Sequence, residues 1–123
     1  MEPNQTIQIT KEGMEIQWDG YLTVPFIKEW LNYTNQWENQ KGKKIILHLN
    51  GIERIDTSGI QFLVFLKKQS QSNQQFLSLS NHSLPVLKIM DLLGLVSFFG
   101  DRIKVKKEHS NEVEFRYGTR KLS

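Results

Sequence analysis

Residues 45–66 read IILHLNGIERIDTSGIQFLVFL, and their hydrophobic pattern changes midway. The run Ile45–Leu49 holds four apolar side chains in five residues, which is typical of a strand buried on both faces. From Ser58 to about Ser72 the chain is apolar in its first half and polar in its second, as in a helix. This stretch therefore predicts a buried strand, a turn at Asn50-Gly51 and a helix.

The upstream residues predict a hairpin followed by a helix. Apolar and polar residues alternate over Thr6–Trp18, which indicates two strands joined by a short turn at Lys11–Gly13. We expect Asp19-Gly20 to end the second strand. Pro25 opens a helical pattern, since proline is tolerated in the first turn of a helix, and Lys41–Lys43 is expected to close it.

Aromatic residues form a stripe along this predicted helix. Phe26, Trp30, Tyr33 and Trp37 follow one another at i, i+4, i+7 and i+11, so they lie on one helix face. We interpret the stripe as a face that packs into the core. An aromatic pocket for a cofactor is the alternative interpretation.

The residues downstream extend the alternation of strands and helices. Phe76–Leu79 is a short predicted strand, and Ser83 caps a predicted third helix that Gly94 ends. Ile103 and Val105 indicate a further strand, and the alternating Val113, Phe115 and Tyr117 indicate an edge strand. The order is ββαβαβα with one or two strands to follow, which favours an α/β fold with a parallel or mixed sheet. The second helix should form a right-handed crossover between neighbouring strands.

Length and composition exclude several classes of protein. The chain has 123 residues, a net charge of +3 and no cysteine, so we expect one domain without disulfides, thiolate metal sites or a cysteine nucleophile. The charge is too small to demand a nucleic-acid partner. The start of the chain resembles no secretory signal, and the longest apolar runs have five residues, whereas a membrane span needs about twenty. We expect a cytoplasmic protein with no direct membrane insertion.

Residues with catalytic or metal-binding chemistry are scarce. The spacing of His48, His82 and His109 fits no set of metal ligands, and His48 is expected to be a hydrogen-bonded structural histidine. There is no glycine-rich phosphate loop. A basic cluster near the C-terminus consists of Arg102, Lys104, Lys106 and Lys107. We interpret this cluster as a solvated strand face, in preference to a phosphate or lipid site, and we expect no metal, no cofactor and no enzymatic activity.

The segment Ile55–Ile60 lies where the second predicted helix begins, and it permits two interpretations. In the first, Ser58 and Gln61 form a capping box, and Ser58→Ala then costs about 1 kcal/mol of stability. In the second, Ser58 is a phosphorylation switch. A helix N-terminus tolerates a phosphate, Asp56 would repel it, and a partner surface would meet new bulk and charge. Gly59 would let that partner approach closely.

The apolar half of this helix covers more than one inward stripe. Some of its apolar side chains should therefore face sideways or outward; the set consists of Ile60, Phe62, Leu63, Val64, Phe65 and Leu66. They would suit a docking surface beside the hydroxyl-bearing helix start. A helix wedged between the sheet and another helix explains the same pattern.

Residues 20–23 read GYLT, residues 56–59 read DTSG and residues 93–95 read LGL. These three short motifs resemble those of STAS domains, the family named for sulfate transporters and anti-sigma-factor antagonists. Asp56-Thr57-Ser58-Gly59 resembles the family's D-S/T-S/G-G signature between an apolar strand and an apolar helix. Gly20-Tyr21-Leu22-Thr23 is similar to the G-x-L-D/T element after an early strand. Leu93-Gly94-Leu95 is similar to the G-L that closes the third helix. The resemblance extends from about Thr6 to Val105.

The resemblance implies a mixed β-sheet with helices packed mainly on one face. It implies a STAS domain over residues 1–105 and a basic C-terminal extension over 106–123. In stand-alone bacterial members, a partner kinase that is also an anti-sigma factor phosphorylates the serine before the motif glycine, here Ser58. A serine phosphatase restores the unmodified form. Thr57 is a second candidate acceptor.

The partner-binding residues expected from these arguments surround the motif. They are Thr23, Asp56, Thr57, Ser58, Gly59, Gln61, Phe62 and Phe65. Thr23 departs from the family pattern, because many antagonists carry aspartate there. Two other roles stay open: a STAS subunit of an ABC lipid transporter, and an adaptor in a chemotaxis or stressosome-like complex. A homodimer also stays open.

Overall fold

A computed structural model describes residues 2–37 and 43–99 of the chain. The elements are β1 (Asn4–Ile9), β2 (Gly13–Leu22), α1 (Ile27–Thr34), β3 (Lys44–Ile55), α2 (Thr57–Ser72), β4 (Phe76–Ser80), α3 (Leu84–Leu92) and α4 (Val96–Phe99). The predicted order ββαβαβα is confirmed. The predicted strands at 103–105 and 113–117 and the extension 106–123 lie outside the described residues.

The four strands form one mixed sheet in the order β1-β2-β3-β4. β1 and β2 form the predicted antiparallel hairpin, whereas β2, β3 and β4 run parallel. Leu22 is paired with Ile55, so β2 and β3 end side by side. The loops that follow these two strands therefore start from the same edge of the sheet.

One face of the sheet carries the core. On β3 the side chains of Ile45, Leu47 and Leu49 are buried, while Ile46 and His48 between them are only half-buried. The buried side chains of α1, α2 and α3 join the same hydrophobic cluster. An α/β fold with helices on one face is confirmed. The prediction that β3 is buried on both faces is wrong for the described residues, because its second face lacks such a layer.

An aromatic cluster fills the core around Trp18. The ring centroid of Trp18 lies 4.4 Å from that of Trp30, 5.8 Å from that of Trp37 and 6.3 Å from that of Phe62. The side-chain oxygen of Gln5 accepts hydrogen bonds from the indole N–H groups of Trp18 and Trp37, at 2.9 and 3.2 Å. The interpretation of the aromatic stripe as a core face is thus confirmed.

Two predicted breaks are continuous strand in the structure. β2 passes through Asp19-Gly20 to Leu22, and β3 passes through Asn50-Gly51 to Ile55. The pairing of β2 with β3 shifts register twice there. A Cβ at Gly51 would lie 1.9 Å from the Asp19 carboxylate oxygen, so the glycine admits a close contact between the strands. The glycines mark irregular pairing instead of turns.

The first helix is shorter than its sequence pattern. Pro25 lies in a 3₁₀ turn over Val24–Phe26, α1 follows, and a second 3₁₀ turn covers Asn35–Trp37. The predicted end at Lys41–Lys43 falls almost entirely outside the described residues. Trp30 and Trp37 are buried as expected.

Two smaller predictions concern His48 and the ends of α3. The His48 ring contacts the Glu15 carboxylate at 2.8 Å and the Asn81 side chain at 2.9 Å, which confirms a hydrogen-bonded structural histidine. Ser83 occupies the N-cap position of α3, but its side chain makes no capping hydrogen bond. Gly94, with φ of +67°, follows the end of α3 as expected.

Replacing Gln5 with leucine should destabilise the domain. Two buried indole N–H groups would lose their shared acceptor, which should lower the free energy of unfolding by about 2–4 kcal/mol. Urea denaturation followed by tryptophan fluorescence measures the change. Gln8→Leu, at an exposed position of the same strand, is the control and should stay within about 0.5 kcal/mol of the parent. Equal effects of both substitutions would contradict the role of Gln5.

Acid should destabilise the domain through His82. Its Nε2 is buried and has no hydrogen-bond partner among the described residues. Burial lowers the pKa of His82 from 6.5 to about 4, because it disfavours the charged ring. The unfolded chain therefore binds a proton at a higher pH than the folded chain does. As the pH falls from about 6.5 to about 4, the free energy of unfolding should fall by about 3 kcal/mol.

His82→Phe isolates this contribution from other titrating groups. The variant keeps a ring of similar shape but binds no proton. Urea denaturation of both proteins between about pH 7 and pH 4 should show a weaker pH dependence for the variant. If the two proteins lose stability in parallel, His82 is not the group responsible.

Candidate functional site

Asp56 lies at the edge of the sheet where β2 and β3 end. Its backbone N–H donates to the Leu22 carbonyl at 3.3 Å. Its carboxylate accepts two hydrogen bonds, from the Gly59 N–H at 2.9 Å and from the Val24 N–H at 3.0 Å. One side chain thus connects the start of α2 to the loop after β2. We call this region the Asp56 corner; it comprises 22–26 and 55–59.

The helix cap belongs to Asp56, and its assignment to Ser58 is wrong. Asp56 has an extended backbone directly before α2, and its side chain bonds the N–H three residues ahead. Ser58 lies inside the first turn, as the second residue of the helix. A capping box needs its hydroxyl residue at the N-cap position, so Ser58 and Gln61 do not form one.

Gly59 permits the start of α2 to pack directly on β2. A Cβ at this position would lie 2.0 Å from the Leu22 carbonyl oxygen and 2.8 Å from Cγ1 of Ile55. No side chain fits at those distances without movement of the backbone. The motif glycine is therefore explained by packing inside the domain, where the sequence had suggested room for a partner.

Two hydroxyl side chains stand on the first turn of α2. Thr57 is exposed, and Ser58 is half-buried. Neither supplies the cap, which comes from Asp56. The first turn of a helix presents free N–H groups and the positive end of the helix dipole, which favour negative charge. A phosphate on either hydroxyl would stand in this field, one or two residues along the chain from Asp56.

An exposed stripe continues from the corner along α2. Gln61 and Phe65 follow Thr57 at intervals of four residues and are exposed, Phe65 at 47%. Phe62 is 7% exposed and stacks between Trp18 and Phe65. The structure thus separates the two phenylalanines: Phe62 is part of the core, and Phe65 faces solvent.

The loop after β2 contributes Val24 to the Asp56 corner, and the sequence pattern did not predict this residue as part of the site. Val24 is 61% exposed and adjoins the Asp56 carboxylate through its N–H. Thr23 is half-buried, and its carbonyl accepts a hydrogen bond from the Phe26 N–H at 2.9 Å. In the sequence, Val24 is an apolar residue that belongs to no regular hydrophobic pattern, and this feature could have marked it as exposed. Thr23 lies between Leu22 and Val24, and both of these neighbours form hydrogen bonds with Asp56.

Other kinds of site receive little support from the described residues. The described residues include no group of three or more His, Asp or Glu side chains that could hold a metal ion. No helix in this part of the chain is long and apolar enough to cross a membrane. A cleft of about 120 Å³ lies near the far end of α2, where its lining includes Gln69, Asn73 and Gln75. This cleft is separate from the Asp56 corner.

The comparison with protein families agrees with the fold and the motif. The family model described as STAS domain matches residues 4–111. The chain belongs to the STAS family. STAS domains are generally non-catalytic regulatory modules that act through protein–protein interaction. A comparison with curated proteins finds no match.

Asp56→Ala should destabilise this STAS domain much more than Ser58→Ala. The first substitution removes a helix cap and the bond to the Val24 N–H, so the free energy of unfolding should fall by about 2–3 kcal/mol. The second leaves both bonds in place and should change it by about 0.5 kcal/mol or less. Chemical denaturation of both variants measures the difference. A larger loss of stability for Ser58→Ala than for Asp56→Ala would show that Ser58, and not Asp56, caps the helix.

Proposed function

We propose that this STAS domain is an anti-sigma-factor antagonist whose binding is switched by phosphorylation at Ser58. The unmodified domain binds a partner that is both an anti-sigma factor and a serine kinase. The kinase transfers the γ-phosphoryl group of ATP to the Ser58 Oγ, which loses its proton, and ADP leaves. A serine phosphatase hydrolyses the phosphoserine and restores the binding form.

The observation that carries the proposal is that the Ser58 hydroxyl lies in the Asp56 corner but does not supply the helix cap. The Asp56 cap and the contact of Gly59 with Leu22 hold the start of α2 without help from Ser58. Free N–H groups of the first helical turn favour an added phosphate. Modification of Ser58 would therefore preserve the fold while changing the charge of the surface, as a switch requires.

The surface around Ser58 has the composition of a protein-binding site. Exposed apolar side chains of Val24 and Phe65 lie on two elements of the structure, with Thr57 and Gln61 on the same exposed stripe as Phe65. Apolar anchors with polar neighbours are typical of interfaces. A dianionic phosphate at the edge of such an interface would be desolvated by the partner without compensation, which opposes binding.

One observation favours a second function. Thr57 is exposed, whereas Ser58 is half-buried, so Thr57 is the more accessible hydroxyl. In the alternative, Thr57 and Phe65 hold a partner such as the ATPase of an ABC lipid transporter, and no phosphorylation is involved. An adaptor role in a chemotaxis or stressosome-like complex would use the same surface.

A charge at Ser58 should weaken the partner complex, while loss of the hydroxyl should not. Tagged protein is used to capture partners from the native cell, and mass spectrometry identifies both the partner and any phosphate on Ser58 or Thr57. Calorimetry with the purified partner should then show at least about tenfold weaker binding for Ser58→Asp, and near-parent binding for Ser58→Ala. Ser78→Asp, an exposed site on β4, controls for net charge.

Other outcomes separate the two functions. If Ser58→Asp and Ser58→Ala both bind as the parent does, the switch is wrong. If the partner is a transporter ATPase, and Thr57→Ala or Phe65→Ala disrupts its capture while no phosphate is found, the alternative function replaces it.

A further inference from the structure

The two hydrogen bonds of the Asp56 carboxylate differ in environment. The bond from the Gly59 N–H is partly buried beneath the start of α2. The bond from the Val24 N–H is exposed to solvent. In the 3₁₀ turn Val24–Phe26, the Phe26 N–H donates to the Thr23 carbonyl and the Phe26 ring packs against the core, whereas the Val24 side chain is exposed. The exposed bond connects Val24 to the start of α2. Of the two hydrogen bonds to the carboxylate, it is the one that water can replace more readily.

On the basis of the proposed phosphorylation of Ser58, we propose that the phosphoryl group also breaks the Asp56–Val24 bond and releases the Val24 turn. Ser58 is two residues from Asp56, so a phosphate carrying nearly two negative charges would repel the carboxylate. It would also compete with the carboxylate for the free N–H groups of the first helical turn, because these favour phosphate.

The exposed bond is the one that should yield. Water can replace the carboxylate at the Val24 N–H, whereas Gly59 is a buried residue and the bond from its N–H is partly buried. The cap and the helix then persist while the turn gains freedom. The switch would act on two elements of the binding surface at once: charge at α2, and order at Val24.

The release has a functional consequence for partner binding. In the unmodified protein, Asp56 holds the exposed Val24 in a fixed position beside α2. A partner that uses both Val24 and Phe65 then meets a pre-organised surface. After release, ordering the turn again would cost binding free energy, so affinity falls even where the phosphate itself makes no contact.

Amide hydrogen exchange measured by NMR tests the inference directly. The full chain is prepared with genetically encoded phosphoserine at position 58, and the exchange rates of the Val24 and Gly59 amides are compared with those of the unmodified protein. Val24 should exchange about tenfold faster, and Gly59 should change little. Phosphoserine at position 78, on an exposed site of β4, adds the same charge elsewhere and should leave both rates unchanged.

Asp56→Asn reproduces the release without a phosphate. Asparagine remains a good N-cap through its oxygen, but its NH₂ group cannot accept the Val24 N–H. Val24 exchange should therefore rise as it does in the phosphorylated protein, while Gly59 stays protected. Asp56→Ser, which also caps with a single oxygen, serves the same purpose if the asparagine variant does not fold.

Unchanged Val24 exchange in the phosphorylated protein overturns the inference. If that protein has nevertheless lost its partner, the proposed switch stands and acts through charge alone. If Val24 is released but Ser58 carries no phosphate in the native cell and partner binding ignores its charge, the coupling is real and the proposed function is wrong.

Discussion

The Asp56 corner depends on one interaction, the Asp56 carboxylate accepting hydrogen bonds from the N–H groups of both Gly59 and Val24. It caps α2 and fixes the loop after β2 with the same side chain. The arrangement requires that α2 begin directly against the Leu22 carbonyl, which only a residue without a side chain at position 59 permits. Ser58 is thereby presented on a surface whose geometry other residues determine.

The core explains why this corner exists. The aromatic cluster around Trp18 holds α1 and α2 on one face of the sheet, and Gln5 satisfies two of its indole N–H groups. Parallel pairing of β2 with β3 brings the ends of both strands to one edge. Two segments far apart in sequence thus meet at the Asp56 corner, with the exposed Val24 on one segment and Thr57 and Ser58 on the other. The proposed switch would act at this surface.

Local patterns predicted the order of the elements, the extent of α2 and the motif that marks the corner. Local patterns did not predict the features that depend on contacts between segments distant in sequence. Gly51 signals a turn in sequence, but in the fold it admits the Asp19 side chain between paired strands. Phe62 and Phe65 are equivalent in composition, and only the position of Trp18 decides which is buried. Val24 gained its importance from Asp56, 32 residues away along the chain.

The central claim is that Ser58 can be modified without loss of the fold and with loss of the partner. The most direct test measures both quantities on one preparation of the domain carrying phosphoserine at position 58. The account predicts a free energy of unfolding within about 1 kcal/mol of the unmodified protein, together with partner binding weakened at least about tenfold. Undiminished partner binding, or a loss of binding that merely follows unfolding, would contradict it.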